Sequence, residues 1–316
     1  LSGDDGIQDL RRLIETDEFR LARGTGRLET RDVSAGFVDK VVGMVDADRL
    51  RGLKVVADTG NGMVGPILQR VYERLPIEFV GLYLDPDGNL PNHGLDPMKA
   101  ENRAELERRV VAEGADAGFA FDGDGDRFFA IDDRGHFVPG DFLTALMAGY
   151  LIEAEPGATM IYDVRCSWAV RDVVEAAGGT ALQERVGHSF LKPRLLREAG
   201  VFAGELSGHY YFRDFFGADS GLVPSLILMQ MMSERQQTMS QMLSPLESRY
   251  FLSGEINSQV ADPLAKIEEI AARYGDGLTE RVDGVSISFD DWHFNVRASN
   301  TEPLLRLNVE ARTADE

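Results

Sequence analysis

The hexapeptide Asp122-Gly123-Asp124-Gly125-Asp126-Arg127 carries the clearest chemical signal in the sequence. It follows the apolar run 117–121, and alternate residues of an extended loop point the same way, so its three carboxylates would converge. Carboxylates that close raise each other's pKa unless a cation lies among them. Asp122, Asp124 and Asp126 are therefore predicted to bind a hard divalent cation, Mg²⁺, with Arg127 beside them to meet an anionic substrate.

The same loop invites three other interpretations. A solvated acidic turn is one, although three alternating Asp residues after a buried-looking strand are unusual for a turn. An EF-hand loop is rejected because it needs Gly at the sixth position and Glu at the twelfth, where this chain has Arg127 and Asp133. An Asp-nucleophile phosphatase of the haloacid dehalogenase type fits Asp122 and Asp124, but Asp126 stands where that class has Thr or Val.

Two later segments offer groups that recognise sugars and phosphates. Glu205-Leu206-Ser207-Gly208-His209 supplies an acceptor, a hydroxyl and an imidazole at a predicted strand end, which suits sugar hydroxyls. The segment 297–303 lies between two predicted strands and is either a phosphate cradle or an ordinary polar turn. Its candidate phosphate ligands are Arg297, Ser299, Asn300 and Thr301.

Strands and helices alternate along most of the chain, which predicts that these loops lie at sheet edges. Strands are expected at 54–58, 77–84, 119–121, 159–164 and 201–204, with helices between them, as in βαβ units. Ligands of such sheets bind at the carboxyl ends of strands, where the acidic hexapeptide lies. After about Phe251 the pattern changes to a strand, a helix and three further strands. The predicted fold is two consecutive mixed or parallel α/β domains followed by a small α+β domain.

Composition narrows the class of partner. The formal net charge of -20 over 316 residues argues against nucleic acid and anionic membranes, which both need basic surfaces. The strongest candidate for a membrane span, Leu222 to Met232, is too short to cross a bilayer and is predicted to be a core helix. Cys166 is the only cysteine, which suits a cytoplasmic protein.

Taken together, the three loops resemble the α-D-phosphohexomutases. Asp122–Arg127, Gly204–His209 and Arg297–Pro303 follow in this order, and further segments resemble the phosphomannomutase/phosphoglucomutase branch. These further segments are Asp58-Thr59-Gly60-Asn61-Gly62, Pro91-Asn92-His93 and Val186-Gly187-His188-Ser189.

The resemblance implies an isomerase of carbohydrate metabolism that interconverts hexose 1-phosphate and hexose 6-phosphate through a phosphoserine and a 1,6-bisphosphate. The expected substrates are mannose and glucose phosphates. Glu205 and Ser207 would bind sugar hydroxyls, and the segment 297–303 would bind the phosphate that does not react. Candidates for catalysis are Arg127, His188, His209 and Arg165, although many relatives have Lys where Arg165 stands and Arg is a poor base near neutral pH.

The resemblance also predicts a division of the chain. Residues 1–32 are expected to be a helix and connector from a preceding domain, followed by a metal-binding domain (33–138), a sugar-binding domain (139–248) and a phosphate-binding domain (249–316). The family's Ser-His-Asn-Pro loop, whose Ser becomes phosphorylated, does not occur in these 316 residues. The chain alone is therefore expected to be inactive, and a non-catalytic fragment that binds Mg²⁺ and sugar phosphate is the main alternative.

Overall fold

The structure, a computed structural model, describes residues 6–19, 24–299 and 303–314. It divides into two units, Leu1–Phe37 and Val38–Glu316. In the first unit, helix α1 (Ile7–Thr16) forms as its apolar periodicity predicts, yet none of its residues is buried. Helix α2 (Ser34–Val42) follows.

The first sheet presents the acidic hexapeptide. Its elements are β1 (Lys54–Asp58), α3 (Gly65–Tyr72), β2 (Glu78–Leu82), α4 (Ala100–Glu113), β3 (Ala117–Phe121), β4 (Phe128–Ile131) and β5 (Phe137–Val138). The strand order is β2-β1-β3-β4-β5. Strands β1, β2 and β3 are parallel, β4 is antiparallel to β3, and β5 is antiparallel to β4. Since β3 ends at Phe121, the hexapeptide is the connection between β3 and β4, at the carboxyl end of a buried central strand.

The second sheet has the same mixed character. Its elements are α5 (Gly140–Ala154), β6 (Thr159–Asp163), α6 (Trp168–Ala176), β7 (Thr180–Glu184), α7 (His188–Arg197), β8 (Phe202–Gly204), β9 (Tyr210–Phe212), β10 (Ala218–Asp219), α8 (Leu222–Arg235) and α9 (Met239–Glu247). The order is β10-β9-β8-β6-β7, with β6 parallel to β7 and β8. The segment Glu205–His209, called the sugar loop from here on, connects β8 to β9.

The C-terminal sheet is antiparallel throughout. It contains β11 (Phe251–Gln259), α10 (Pro263–Arg273), β12 (Leu278–Glu280), β13 (Val285–Ser288), β14 (Trp292–Ala298) and β15 (Leu304–Ala311), in the order β11-β15-β14-β13-β12. One face of β14, with Phe294 and Val296, packs in a core with Ile267 of α10. On the other face, Glu310 accepts a hydrogen bond from the amide of Trp168 at the start of α6, with 3.0 Å between Oε2 and N.

The buried helices explain the apolar stretches of the sequence. Helix α8 is buried along most of its length, so the predicted core helix is confirmed and Met229, Met231 and Met232 are core residues. Among the described residues, no helix is both long and apolar enough to cross a membrane. The predicted fold, two mixed α/β domains before a smaller antiparallel α+β unit, is confirmed.

Candidate functional site

The acidic loop brings the three predicted carboxylates together. One carboxylate oxygen from each of Asp122, Asp124 and Asp126 lies within 4.8 Å of the others. Asp122 is buried, Asp126 is half-buried and Asp124 is exposed, so the group opens to solvent on one side. Oxygen donors at this spacing fit a hard divalent cation such as Mg²⁺.

Glycines let the acidic loop fold back on a neighbouring turn. Gly125 has a φ of 77°, and a Cβ there would lie 2.5 Å from the Cβ of Val64. At Gly62, a Cβ would lie 2.6 Å from the carbonyl oxygen of Gly123, and the adjacent Met63 amide donates a 2.8 Å hydrogen bond to that same oxygen. The Gly-rich turn after β1 therefore supports the acidic loop rather than contributing reactive groups.

Asp122 is held by the loop that contains it. Its Oδ1 accepts hydrogen bonds from the amides of Gly125 (3.2 Å) and Arg127 (3.1 Å), and its Oδ2 lies 2.6 Å from Nε of Arg127. Burial raises the pKa of Asp122 more than these bonds lower it. Arg127 was expected to face substrate, and in this structure its Nε is committed to Asp122 while its Nη1 lies 4.0 Å from Asp96.

Asp126 departs from the expectation that the carboxylates would raise each other's pKa. Its pKa is lowered, chiefly because it interacts with His209, whose Nε2 lies 3.6 Å from Oδ1. The imidazole of the sugar loop thus supplies a counter-charge that the hexapeptide alone could not reveal. The two loops also meet through their backbones, in an isolated bridge between Arg127 and His209.

The sugar loop is an internally bonded polar cluster. The Ser207 hydroxyl donates to Oε2 of Glu205 (3.2 Å) and lies 3.2 Å from Nδ1 of His209. Tyr211 donates a 2.5 Å hydrogen bond to Oε1 of Glu205, which is 2 % exposed. Burial and the charge of Asp163 raise the pKa of Glu205. The carboxylate predicted to grip sugar hydroxyls is therefore already held by its own loop and by β9.

Arg165 is fixed by a buried carboxylate at the end of β6. Asp163 is fully buried and accepts from Nε (2.9 Å) and Nη2 (2.7 Å) of Arg165 and from the amide of Leu206 (2.9 Å). Burial opposes the charge on Arg165, but Asp163 raises its pKa above the ordinary value. Nη2 also lies 3.4 Å from the Ser207 hydroxyl, so a cation rather than a base faces the sugar loop.

The predicted phosphate-binding segment begins at the end of β14, which contains Arg297, and β15 follows it. Arg297 is 5 % exposed, and its Nη2 donates to Oε2 of Glu255 on β11 at 2.8 Å. Burial, together with the charge of Arg165, lowers the pKa of Arg297. Ser299 accepts from Nη2 of Arg306 at 3.3 Å. Asn300 and Thr301, also predicted to bind phosphate, lie outside the described residues.

Sequence models of one family match nearly the whole chain. The phosphoglucomutase/phosphomannomutase alpha/beta/alpha domain II matches residues 35–135, its alpha/beta/alpha domain III matches 139–250, and its C-terminal domain matches 255–316. The chain belongs to the phosphoglucomutase/phosphomannomutase family. The matching relatives are hexose phosphate mutases, and the chain spans about 70% of the length of the first of them.

Individual members of the mutase family agree with this assignment. A phosphomannomutase of Salmonella typhimurium is 39% identical over 321 residues, with 99% of this chain covered and 70% of the relative. A solved structure of a family protein from Burkholderia thailandensis has a TM-score of 0.90 at 33% identity and covers 100% of this chain and 67% of its own. An N-acetylphosphoglucosamine mutase of Aspergillus fumigatus, solved with GlcNAc-6P and magnesium, shares the fold, with a TM-score of 0.62 at 16% identity over 92% of this chain and 65% of its own.

His188 stands apart from the other predicted residues of this mutase chain. It is the first residue of α7 and is exposed. Within the described part of the chain, it shares no hydrogen bond or ion pair with the acidic loop or the sugar loop. The structure brings His209, Arg127, Glu205, Ser207 and Arg165 into one connected network without it.

Several members of the site were missed from the sequence. Asp163 ends a strand two residues before Arg165, and its role depends on a contact with Leu206 that spans 43 positions. Arg306 faces Arg297 across the hairpin of β14 and β15, and the pairing of those two predicted strands was the signal available for it. His93 and Asp58 were noticed only as parts of motifs, yet His93 Nε2 lies 3.2 Å from both carboxylate oxygens of Asp58.

A cavity of about 260 Å³ continues from the sugar loop to the polar side of the C-terminal sheet. Its wall includes Arg165, Leu206, Asp141, Glu255 and Asn295. Burial raises the pKa of Asp141 to about 7, with the charge of Glu310 adding to the shift. Leu206 of the sugar loop and residues of β11, β14 and β15 therefore border a common space.

Proposed function

We propose that this chain carries the metal-binding, sugar-binding and phosphate-binding parts of a phosphohexomutase that interconverts the 1-phosphate and 6-phosphate of mannose or glucose. The reaction we infer is transfer of a phosphoryl group from a phosphoserine to the free hydroxyl of the hexose phosphate. The resulting 1,6-bisphosphate then returns its other phosphoryl group to the serine, which yields the isomeric monophosphate.

The observation that carries this proposal is the junction between the acidic loop and the sugar loop. His209 reaches Asp126 of the acidic loop with one ring nitrogen (3.6 Å) and Ser207 of the sugar loop with the other (3.2 Å). A group suited to binding a metal ion and a group suited to sugar hydroxyls are therefore joined by one titratable side chain. This arrangement suits chemistry in which a phosphoryl group and a sugar hydroxyl must meet.

For the metal we propose Mg²⁺ on Asp122, Asp124 and Asp126. The Aspergillus relative described above was solved with magnesium, and the oxygen donors present here suit that ion. When bound, Mg²⁺ would neutralise negative charge on the phosphoryl group in transfer. The Asp126, His209 and Asp219 side chains also approach within 4.8 Å, so Asp126 belongs to both groupings.

For the remaining residues we propose the following roles. Glu205 and Ser207 position the sugar hydroxyls, and His209 and His188 handle protons or orient the sugar. Arg127 lies beside the phosphoryl group, which requires it to exchange part of its contact with Asp122 for the substrate. Arg165, held by Asp163, supplies positive charge rather than acting as a base. The non-reacting phosphate binds at the turn between β14 and β15, through the residues Arg297, Ser299, Asn300 and Thr301.

We propose that the reactive serine comes from outside these 316 residues, because no Ser-His-Asn-Pro sequence occurs within them. On this proposal the chain alone binds Mg²⁺ and sugar phosphate without turnover. The proposed divisions remain 1–32, 33–138, 139–248 and 249–316. A cytoplasmic location is also proposed, and the buried, unpaired Cys166 is compatible with it.

The geometry favours this proposal over the Asp-nucleophile phosphatase. A nucleophilic Asp122 would need a free oxygen facing the substrate. Instead Asp122 is 3 % exposed, with one oxygen bonded to two amides and the other to Arg127. Such a carboxylate can share a metal ion more readily than it can attack a phosphorus atom.

Turnover assays test the proposal directly. Glucose 1-phosphate, Mg²⁺ and a trace of glucose 1,6-bisphosphate are supplied to this chain and to a longer chain that carries an upstream Ser-His-Asn-Pro loop. Mutase activity is expected only in the longer chain, and it should disappear when the loop serine is replaced by Ala. Turnover by the 316-residue chain alone would contradict the proposed source of the serine, and an inactive longer chain would contradict the proposed reaction.

A further inference from the structure

Residues 92–95, called the brace segment from here on, lie between β2 and α4 and touch both the Gly-rich turn after β1 and the acidic loop. Asn92 donates from Nδ2 to Oδ1 of Asn61 in the Gly-rich turn at 2.7 Å. Leu95 packs so closely on Gly123 of the acidic loop that a Cβ there would lie 2.7 Å from its Cδ1. The brace segment therefore links the acidic loop to the turn that supports it.

His93 anchors the brace segment with both of its ring nitrogens. Nε2 lies 3.2 Å from each carboxylate oxygen of Asp58, which is 3 % exposed at the end of β1. Nδ1 lies 2.8 Å from the carbonyl oxygen of Gly94. An ionised carboxylate and a carbonyl oxygen can only accept, so both ring nitrogens must donate for both bonds to form. The geometry therefore specifies a positively charged imidazolium at His93.

The surroundings of the His93 ring leave Asp58 as its counter-charge. Tyr83, which follows β2, packs edge-on against the ring with 5.3 Å between centroids, and β3 contributes apolar side chains. Arg103 of α4 borders the same small space, but its Nε bonds to Glu107 at 2.8 Å. The hydrogen bond with Asp58 raises the pKa of His93, although burial acts against it. Protonation of this ring is therefore coupled to one buried carboxylate.

The same carboxylate shapes the Gly-rich turn. Oδ1 of Asp58 accepts from the amide of Gly60 at 2.8 Å, and a Cβ at Gly60 would lie 3.1 Å from Cε1 of His93. At the far end of the turn, the Met63 amide donates to the carbonyl oxygen of Gly123 at 2.8 Å. One route through the turn and another through the brace segment thus lead from the ion pair to Gly123, which lies between the first two carboxylates of the acidic loop.

We propose that His93 and Asp58 are positioning residues for metal binding, a charged pair that fixes the Gly-rich turn and the brace segment so that the acidic loop presents its carboxylates to one divalent cation. The inference rests on the metal site of the proposed function and adds two residues that act on it only through the backbone and packing at Gly123. A loop already held in its binding conformation gives up less conformational freedom when the ion binds, so positioning raises affinity.

Reciprocity gives this proposal a distinctive signature. If protonation of His93 strengthens Mg²⁺ binding, then Mg²⁺ binding must strengthen protonation of His93 by the same factor. A dication that acted on the ring only through its charge would weaken protonation instead. Mg²⁺ should therefore raise the pKa of His93 rather than lower it.

Calorimetric titration of the 316-residue chain with Mg²⁺ at about pH 6 is the first test, since His93 is charged at that pH. His93→Gln should bind Mg²⁺ about tenfold more weakly, the lower end of the effect typical of groups that support metal ligands. The difference should narrow as the pH rises through the pKa of His93, because a neutral ring can donate only one of the two bonds. His136→Gln is the control because its exposed ring lies 3.7 Å from Asp132, away from the Gly-rich turn, and it should bind as the unmodified chain does.

A second variant separates positioning from stability. Leu95→Ala removes the packing on Gly123 without changing a charge, so it should also weaken Mg²⁺ binding. Titrations made far below the unfolding transition start from a protein that is almost entirely folded. A pair that only stabilised the fold would therefore lower the free energy of unfolding and leave the Mg²⁺ affinity unchanged.

Proton NMR of the unmodified chain tests the reciprocal effect without any substitution in the pair. The chain has five His residues, and the ring of His93 is identified by its contact with the ring of Tyr83. Titration with and without saturating Mg²⁺ should show a higher pKa for His93 in the presence of the ion. The pKa of His136 should not rise.

The outcomes distinguish this inference from the proposed function. If His93→Gln and Leu95→Ala bind Mg²⁺ as tightly as the unmodified chain, the positioning role is refuted and the metal site stands. The same holds if Mg²⁺ lowers the pKa of His93 or leaves it unchanged, or if His136→Gln weakens binding as much as His93→Gln. If the unmodified chain binds no Mg²⁺, the metal site of the proposed function fails as well.

Discussion

The sugar loop and the polar face of the C-terminal sheet are proposed to bind two parts of one substrate, but they differ in how many of their buried polar groups have hydrogen-bond partners. The polar face consists of the residues that pair across β14 and β15, namely His293, Asn295, Arg297, Arg306, Asn308 and Glu310. Around the sugar loop, Glu205 and Asp163 have both carboxylate oxygens hydrogen-bonded. On the polar face many groups lack partners. Of the eight buried side-chain nitrogen or oxygen atoms without a hydrogen bond in the described residues, six lie on β14, on β15 or directly after β15.

This difference separates a preorganised region from an adaptable one. Satisfied polar networks fix side-chain positions, which favours recognition of a sugar in a defined orientation. Unsatisfied buried groups destabilise the ligand-free state, so a ligand that pairs with them gains that energy on binding. Substitutions should therefore be more damaging near the sugar loop than on the polar face, apart from the residues that contact phosphate.

The largest effect is expected from Asp163→Asn. The substitution removes the nearest counter-charge of the buried Arg165 guanidinium, and the remaining carboxylate partner in the described residues is Glu205, whose Oε2 lies 3.7 Å from Nη2. Removing one partner of a buried ion pair lowers the free energy of unfolding by about 3 kcal/mol or more. Urea denaturation measures the change. Asp132→Asn is the control because Asp132 is also buried, at 3 % exposed, and accepts hydrogen bonds from the amides of Arg134 and His136. Its ion-pair partner is the exposed ring of His136, 3.7 Å away, rather than a buried guanidinium.

Asp132→Asn should lower the free energy of unfolding by about 1 kcal/mol, because it weakens only hydrogen bonds to a turn carboxylate. This loss is clearly smaller than the one expected for Asp163→Asn. Equal losses in the two variants would mean that the ion pair with Arg165 adds nothing to the hydrogen bonds.

Asp124→Asn is expected to have the next largest effect, on metal affinity rather than stability. Asp124 is exposed, so the fold should tolerate the change. The loss of one of three carboxylates should weaken Mg²⁺ binding by about 100-fold, which is the largest effect typical of losing a group that only supports a metal ligand. Calorimetry with Mg²⁺ measures it. Glu101→Gln, at an exposed position of α4, removes the same charge from the same part of the chain and should leave the affinity unchanged.

The Asp58–His93 pair predicts a smaller, pH-dependent effect. The hydrogen bond with Asp58 raises the pKa of His93 above its ordinary value. A raised pKa in the folded state stabilises the protein fully below the unfolded-state pKa of about 6.5, and this contribution is lost as the pH rises through the folded-state pKa.

The free energy of unfolding, measured by urea denaturation, should therefore fall by about 1.5 kcal/mol between about pH 6 and about pH 9, as for the loss of one charged hydrogen bond. This fall should be absent in His93→Gln. The same pH dependence in both proteins would show that the pair does not carry it.

The smallest effect is expected at Asn308, on the polar face. The Oδ1 atom of Asn308 is buried and has no hydrogen-bond partner among the residues that the structure describes, and its side chain borders the cavity. Replacement by Leu removes an unsatisfied group, so the free energy of unfolding should change by less than about 0.5 kcal/mol or rise slightly. A loss near 2 kcal/mol in thermal or urea unfolding would show that the polar face is satisfied after all, which would remove the contrast with the sugar loop.

Much of the fold could be predicted because its signals are local. A few consecutive residues encode the acidic loop, the sugar loop and each of the strands on either side of the turn between β14 and β15. The two mixed α/β units follow from the alternation of strand and helix periodicity. Strand β5 was missed because it has only two residues. Helix α9 was missed although Thr238 and Gln241 form its capping box, since Pro245 inside it resembles a helix break.

The residues that complete the site could not be predicted because they depend on tertiary contacts. The counter-charge of Asp126 comes from His209, and that of Arg165 from Asp163, which also binds the Leu206 amide. Arg306 joins Arg297 only when two strands pair in one register, and Glu255 only when a third strand lies beside them. Such contacts exist only after the sheets have formed.

The hydrogen bond from the Trp168 amide to Glu310 ties the beginning of α6 to β15, across 142 positions. Chains emerge from the ribosome in order, so α6 is synthesised well before the carboxylate that accepts from its first turn. Until β15 emerges, that amide can bind only water or a neighbouring group. The beginning of α6 therefore remains incompletely hydrogen-bonded until β15 has been synthesised and has joined the C-terminal sheet.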